Sequence, residues 1–315
     1  MPGVMWHASQ WVQYVTKRNK LLRLAIAAVL IGSLATAKTA FGADPLFPGV
    51  EIVEFRSASY TYPPSPFKIK QSKKLGIPVE VRTEPSVPIT GYLARPTGEK
   101  KRAAIVLLHT CAGISEHEEM WSKRLVSWGY IVLSVDSFKP RGFEYICDGR
   151  VGGGALTTPW RRALDAYGAK RYLSSRSFVE PDRIAVMGMS HGGMAVLETI
   201  KQSTSEGLAM QPFQAAVAFY PLCSEPEPIN TPTLILIGSE DRWTPAELCI
   251  QYVEKLKPQQ EITLGMFDNA HHAFDHPGID TIDLGYIIRS NQKAANQANQ
   301  MTREFLAKWL KFKVH

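Results

Sequence analysis

An α/β architecture, a mostly parallel central sheet with helices on both faces, is predicted for this 315-residue chain by three observations. Strands and helical patterns alternate from residue 103 onward. The strands are continuous apolar runs, as expected where both faces are covered. Short strands of alternating polarity precede them and read as an antiparallel edge, which completes a layered α/β domain. A composition of 45% hydrophobic and 21% charged residues is that of a globular chain, not of a fibre, a disordered tail or a multi-span membrane protein.

Taken in order, Val50–Phe55, Ile77–Arg82 and Ile89–Arg95 are the expected edge strands, interrupted by Pro, Gly and charge. Ala103–Leu108 is an apolar strand, Glu118–Trp128 a helix, Tyr130–Val135 a strand, Trp160–Ser174 a helix and Arg183–Met187 a third strand. His191–Lys201 is helical, Phe213–Phe219 and Thr233–Ile237 are strands, Pro245–Leu256 is a helix opened by proline, and Ile262–Met266 is the last strand. Met301, Phe305 and Trp309, with Leu306 and Leu310 beside them, form one apolar helical stripe that packs on the sheet, leaving Lys308, Lys311 and Lys313 solvated. Gly149–Gly154 reads as a loop above the sheet. No repeat or linker divides residues 44–315, which are expected to form a single domain.

The formal charge of +7 raises the question of nucleic acid. Five of the 36 basic residues and none of the 29 acidic ones lie in residues 1–43, so the rest carries only +2 and a nucleic-acid partner is not expected. Those 43 residues have the layout of an export signal: a basic stretch Lys17–Arg23, an apolar run Leu24–Leu34, then small residues Ala35, Ala37, Ala40, Gly42 and Ala43. Cleavage after Ala37 or Gly42 is expected, with retention of Ile26–Leu34 as an uncleaved anchor the alternative and the one route to membrane attachment. Cys111, Cys147, Cys223 and Cys249 lack metal-ligand spacing and permit two disulfides in three connectivities, or four separate buried thiols. No feature calls for a metal or an organic cofactor.

Chemistry concentrates at Gly188-Met189-Ser190-His191-Gly192, a G-x-S-x-G motif between a strand and a helix. The glycines let the chain turn sharply enough to raise the serine above the sheet. A serine hydroxyl needs a base, and the base a third group that fixes its tautomer. Asp241, beyond the strand Thr233–Ile237, is the expected acid, with Glu240 its competitor. His271 and His272 both follow the last strand and spacing does not separate them; His276 and His109 are placed less favourably. The layout puts oxyanion donors on the backbone of His191, after the nucleophile, and on the loop His109–Gly113, where Cys111 is the candidate. Arg141, Tyr145, Trp160 and Trp243 are candidate pocket residues, Arg141 either receiving a substrate carboxylate or bracing its loop.

These motifs, with Trp128-Gly129-Tyr130, Phe219-Tyr220-Pro221, Gly238–Asp241 and Ala270-His271-His272-Ala273-Phe274, resemble the dienelactone hydrolase branch of the α/β-hydrolase fold over roughly Gly91–Leu310. In that branch the base directly precedes an Ala-Phe or Gly-Phe pair, so the resemblance selects His272 over His271. It also shows two departures: Ser190 stands where the characterised enzymes use cysteine, and Thr110 where they place a glutamate. The resemblance therefore implies a serine-dependent carboxylic ester or lactone hydrolase acting on a small molecule through an acyl-enzyme. Polyester or peptide hydrolysis and acyl transfer share the same relay, and a noncatalytic exported binding protein is the alternative outside catalysis.

Overall fold

The computed structural model describes residues 50–148, 156–257 and 260–311. The export signal or anchor expected over residues 1–43, the glycine-rich stretch 149–154 and Lys313 lie outside these residues.

Eight strands form the central sheet: β1 (Glu51–Arg56), β2 (Pro88–Ala94), β3 (Arg102–Leu108), β4 (Ile131–Asp136), β5 (Val179–Met189), β6 (Ala215–Phe219), β7 (Thr233–Gly238) and β8 (Ile262–Phe267). Their spatial order is β1-β2-β4-β3-β5-β6-β7-β8. β1, β2 and β4 pair antiparallel and every other neighbouring pair is parallel. The architecture is the expected mostly parallel α/β sheet. Strands β3, β6 and β7 are buried along almost their whole length, because Ala, Ile, Val and Leu fill both of their faces. Parallel strands all point the same way, so the loops leaving β3, β5, β7 and β8 gather at one edge of the sheet.

Helices α2 (Glu116–Ser127), α3 (Pro159–Ser174), α4 (His191–Thr199), α6 (Ala246–Leu256) and α7 (Gln292–Trp309) have buried faces, and a short α5 (Gln202–Leu208) follows α4. The apolar stripe of α7 is rotated from the expected one. Its deepest residues are Ala294, Ala298, Thr302 and Leu306, while Met301, Phe305 and Trp309 pack half-buried beside them. Small side chains let the helix sit close to the sheet, where Gly265 already lies against Met301.

The expected strand Ile77–Arg82 does not form. That segment is irregular and largely exposed, and the short strand Thr83–Glu84 after it pairs with Tyr60–Thr61 outside the main sheet. Ile77, Val79 and Val81 do alternate with polar positions, but among the described residues no strand pairs with them, Ile77 and Val81 stay exposed, and Pro78 lacks a donor for a ladder. Preceding it is a helix not anticipated from hydrophobic periodicity, α1 (Pro66–Leu75), which buries no residue. Its ends are nevertheless encoded: Ser65 caps the amide of Lys68, proline opens the first turn, and Gly76 closes it in the left-handed region at φ 67°.

A hairpin of β9 (Asp280–Asp283) and β10 (Tyr286–Arg289) stands between β8 and α7, turning through Leu284 (φ 48°) and Gly285 (φ 85°). Two left-handed residues suit a two-residue hairpin turn. β10 is tied to the end of β8, since Ile288 bridges His272 and the Arg289 amide donates to the His272 carbonyl at 3.2 Å.

Candidate active site

Ser190 sits at the junction of β5 and α4 with φ 52° and ψ −117°, a conformation costly for a residue bearing a Cβ. The turn is held by the Ser190 amide donating to the Phe219 carbonyl at 2.9 Å and by the Met194 amide donating to the Ser190 carbonyl at 2.9 Å. Glycine is obligatory around it. A Cβ at Gly188 would lie 2.4 Å from the Gly192 carbonyl oxygen, and one at Gly192 would lie 2.2 Å from that of Leu108.

The Ser190 hydroxyl donates to His272 Nε2 at 3.0 Å, and His272 Nδ1–H donates to Asp241 Oδ2 at 2.8 Å. Asp241 is fully buried, and its other oxygen accepts from the amides of Trp243 (3.0 Å) and Thr244 (2.9 Å). Those two bonds fix the carboxylate plane and support its charge. Two turns converge here because the Glu240 amide donates to the Ala270 carbonyl at 2.9 Å, binding the chain after β7 to the chain after β8. His271 points elsewhere, its Nδ1–H donating to the Glu240 carbonyl at 3.1 Å, and the Glu240 carboxylate is paired with Arg242 in an exposed bridge. Of the alternatives open in the sequence, the geometry joins Ser190, His272 and Asp241.

His191 is the first residue of α4, so its amide has no acceptor within the helix. In the loop after β3, hydrogen bonds engage the amides of Thr110, Ala112 and Gly113, and among the described residues none engages that of Cys111. The loop is also held from outside. Cys111 is disulfide-bonded to Cys147, the Ile146 amide donates to the Cys111 carbonyl at 2.9 Å, and Gly113, at φ 82°, lies where a Cβ would be 2.4 Å from the Glu144 carbonyl oxygen. The second disulfide joins Cys223 to Cys249 of α6.

Below this loop the guanidinium of Arg162 is fully buried. One terminal nitrogen donates to His191 Nδ1 at 2.7 Å and the other to the His109 carbonyl at 2.6 Å. Burial brings the Arg162 pKa down to about 9, with nearby Asp165 opposing the shift. Burial and then the Arg162 charge lower His191 to about 3, which keeps its imidazole neutral and its Nδ1 an acceptor. His109 is likewise depressed, first by burial; it donates from Nδ1 to the Thr110 carbonyl and accepts from the Ser137 amide, a role in loop structure.

A cavity of about 400 Å³ opens beside Ser190 and His272, with Cys111, Cys147, Tyr145 and Trp243 in its wall. Such a site can activate a hydroxyl, receive an acyl carbon and offer amides to a developing oxyanion.

The model of the dienelactone hydrolase family matches residues 89–310. The chain belongs to the dienelactone hydrolase family. Solved structures similar to this hydrolase include one named m3DLH (19% identity, 71% of this chain and 94% of that one, TM-score 0.60). Another is a dienelactone hydrolase-like promiscuous phosphotriesterase from metagenomic libraries (17% identity, 82% and 98% covered, TM-score 0.55). A third is Thermogutta terrifontis esterase 2 (19% identity, 72% and 92% covered, TM-score 0.54). At these identities the likeness is one of fold. No curated protein matches the chain.

Two expected pocket residues of this dienelactone hydrolase family member lie away from the cavity. Arg141 forms a two-pronged bridge to buried Asp165, both arms at 2.8 Å, and also donates to the Ser137 carbonyl, so it braces its loop. Trp160 donates from Nε1 to the Tyr62 hydroxyl at 2.9 Å and packs edge-on against Tyr60. Its position at the start of α3 carries it to the edge-strand side. Tyr145 and Trp243 do line the cavity.

Other supporting residues were not anticipated. Glu118 accepts from the Thr110 amide and from both the amide and hydroxyl of Ser115, which joins the capping box of α2 to the loop after β3. The spacing Ser115-x-x-Glu118 was the available signal. Arg162 had none, since one arginine on a helix carries no mark of burial. The hairpin supplies Thr281, Ile282, Asp283 and Ile288 to the cavity, and its exposed apolar residues hide the alternation that would announce a strand pair.

Proposed function

We propose that this member of the family is a serine-dependent hydrolase of carboxylic esters or lactones that works through an acyl-enzyme. The observation that carries the reading is the unbroken relay from the Ser190 hydroxyl through His272 to Asp241, with links of 3.0 and 2.8 Å, beside a cavity of about 400 Å³.

Ser190 Oγ attacks the acyl carbon while His272 Nε2 takes its proton, and Asp241 steadies the imidazolium through Nδ1. The amides of His191 and Cys111 receive the negative oxygen of the tetrahedral intermediate. His272 then gives its proton to the departing alkoxide, leaving the acyl group on Ser190. A water molecule, deprotonated by His272, attacks that ester and restores the serine. The similarly folded Thermogutta terrifontis esterase 2 is phosphorylated by paraoxon, which supports a nucleophilic side chain in a site of this fold.

The test is steady-state hydrolysis of ethyl acetate by the wild type and by Ser190→Ala, His272→Ala and Asp241→Asn. Each substitution is expected to lower kcat by at least about 10³-fold while the fold persists. Wild-type turnover by Ser190→Ala would overturn the reading.

Export of the chain is part of the same proposal. The basic-apolar-small pattern of residues 1–43 supports it, and an oxidising compartment suits the Cys111–Cys147 and Cys223–Cys249 disulfides. Intact mass of the protein isolated from its native compartment distinguishes removal of the first 37 or 42 residues from their retention as an anchor.

A further inference from the structure

Three features of the cavity bear on the substrate, given the ester-hydrolase reading on which this inference rests. The first is the character of its wall. Ile279, Ile282 and Ile288 line the cavity together with Trp243, Ala112 and the Cys111–Cys147 disulfide. The Trp243 indole lies over the His272 imidazole, ring centres 5.2 Å apart, and is backed by Tyr286, stacked on it at 5.6 Å with only 17° between the planes. A rigid aromatic group, held between two rings, therefore stands beside the base of the relay and contributes to the cavity wall.

The second feature is charge. Among the described residues lining the cavity there is no lysine or arginine. Arg141 is committed to Asp165, and Arg162 lies beneath the floor, bound to His191 and His109. His117 reaches the lining, but the Asp275 carboxylate 3.0 Å from its Nε2 balances whatever charge it carries. The carboxylate in the wall itself is Asp283, which accepts from the Tyr145 hydroxyl at 3.3 Å. An anionic substrate group entering here would lose water, find no lysine or arginine and meet a like charge, while His276, the other histidine of the lining outside the relay, is stacked on His117 at 4.8 Å.

The third is the hairpin, which extends the apolar wall outward. Ile282 is 71% exposed, and Tyr286 and Ile287 are also exposed, although all three belong to strands that shape or back the cavity. Apolar side chains in this position gain by covering an apolar substrate group.

We propose that the ester taken at Ser190 is uncharged and carries an aromatic or comparably bulky apolar group lodged between Trp243 and the hairpin isoleucines, and that esters bearing a carboxylate are discriminated against. The acyl chemistry is that of the relay already described; what the wall adds is selection.

Ethyl esters test this without an aromatic leaving group that could itself occupy the wall. The probes are ethyl acetate, ethyl 3-phenylpropanoate and monoethyl glutarate, with product acid measured for the wild type, Ser190→Ala and Ile282→Asp. The expected result is a kcat/KM for the phenyl ester about 10²-fold above that for the glutarate monoester. Ile282→Asp, a change at an exposed position, is expected to shrink the phenyl-to-acetate ratio several-fold. Equal or preferred turnover of the glutarate monoester, or a ratio unmoved by Ile282→Asp, overturns the inference and leaves the hydrolase intact. Absence of Ser190-dependent turnover of all three esters overturns the hydrolase reading and this inference with it.

Discussion

Arg162 donates from one terminal nitrogen to Nδ1 of His191 across 2.7 Å, and from the other to the carbonyl of His109. One buried cation thus holds the two chain segments that carry the proposed oxyanion donors, the loop after β3 and the start of α4. Replacing it with methionine, which fills similar space without donors, is expected to lower kcat by about 10- to 100-fold with little change in KM. Arg162→Lys should recover only part of the loss, because an ammonium lacks the planar fork that reaches both partners. Steady-state kinetics with circular dichroism as a control for folding checks this. A methionine variant with unchanged kcat would show that the segments hold themselves.

The serine turn tolerates no added methyl group. At Gly192 a Cβ would stand 2.2 Å from the Leu108 carbonyl oxygen and 2.6 Å from that of His109, both backbone atoms of the strand end beside the site. Gly192→Ala is therefore expected to cost about 3 kcal/mol by urea denaturation and to abolish most turnover. A stable, active Gly192→Ala enzyme would mean that the turn is looser than this geometry.

The two disulfides should separate function from stability. Cys223–Cys249 ties the chain after β6 to α6, whereas Cys111 and Cys147 both line the cavity. Removing the first pair by a double alanine substitution is expected to lower stability by about 2–4 kcal/mol while kcat stays within about threefold. Removing the second should in addition lower kcat by about 10-fold, because the Cys111 amide loses its covalent hold. Thermal melts and kinetics on the two variants make the comparison; identical kinetic behaviour would contradict it.

Stability should also carry a pH signature from one buried cluster. Asp275 accepts from His117 Nε2 (3.0 Å), Trp121 Nε1 (2.7 Å) and the Tyr220 hydroxyl (2.7 Å). Burial opposes ionisation of Asp275, but the His117 charge and these bonds outweigh it and take the pKa down to about 2. Burial also opposes protonation of His117, and the Asp275 carboxylate outweighs it and raises that pKa. A depressed acid stabilises above its unfolded pKa of about 3.9, and that contribution is lost as pH falls toward 2. A raised histidine stabilises below its unfolded pKa of about 6.5, and that contribution is lost as pH rises through the folded value. The Tm difference between wild type and His117→Gln should therefore be greatest between about pH 4 and 6.5, where it reflects about 3 kcal/mol. A difference that is flat from pH 4 to 9 would contradict the pairing.

Much of the sheet was legible because β3, β4, β6 and β7 are continuous apolar runs between helical patterns, a signal that short-range physics alone produces. Ile77–Arg82 read as a strand and is not one, since alternation without a partner surface is indistinguishable in sequence from an exposed irregular segment. Helix α1 could be read only from its caps, because it buries nothing. At the site, Ser190 and Asp241 followed from turns at strand ends, and the resemblance chose between His271 and His272, which adjacency alone could not separate. What the sequence concealed was the support: which loop a capping glutamate such as Glu118 would reach, whether Arg141 would face substrate or Asp165, and that Arg162 would sit beneath both oxyanion segments. Each depends on which elements pack together, and the α3 arginines carry no local mark that sorts Arg161, at the surface with Glu84, from Arg162 in the interior.

The relay itself is tested most directly by mass spectrometry of the protein after exposure to paraoxon, followed by peptide mapping. The account predicts a single phosphoryl adduct on Ser190, absent from Ser190→Ala and formed far more slowly in His272→Ala. An unlabelled wild type, or an adduct that survives the loss of Ser190, would contradict it.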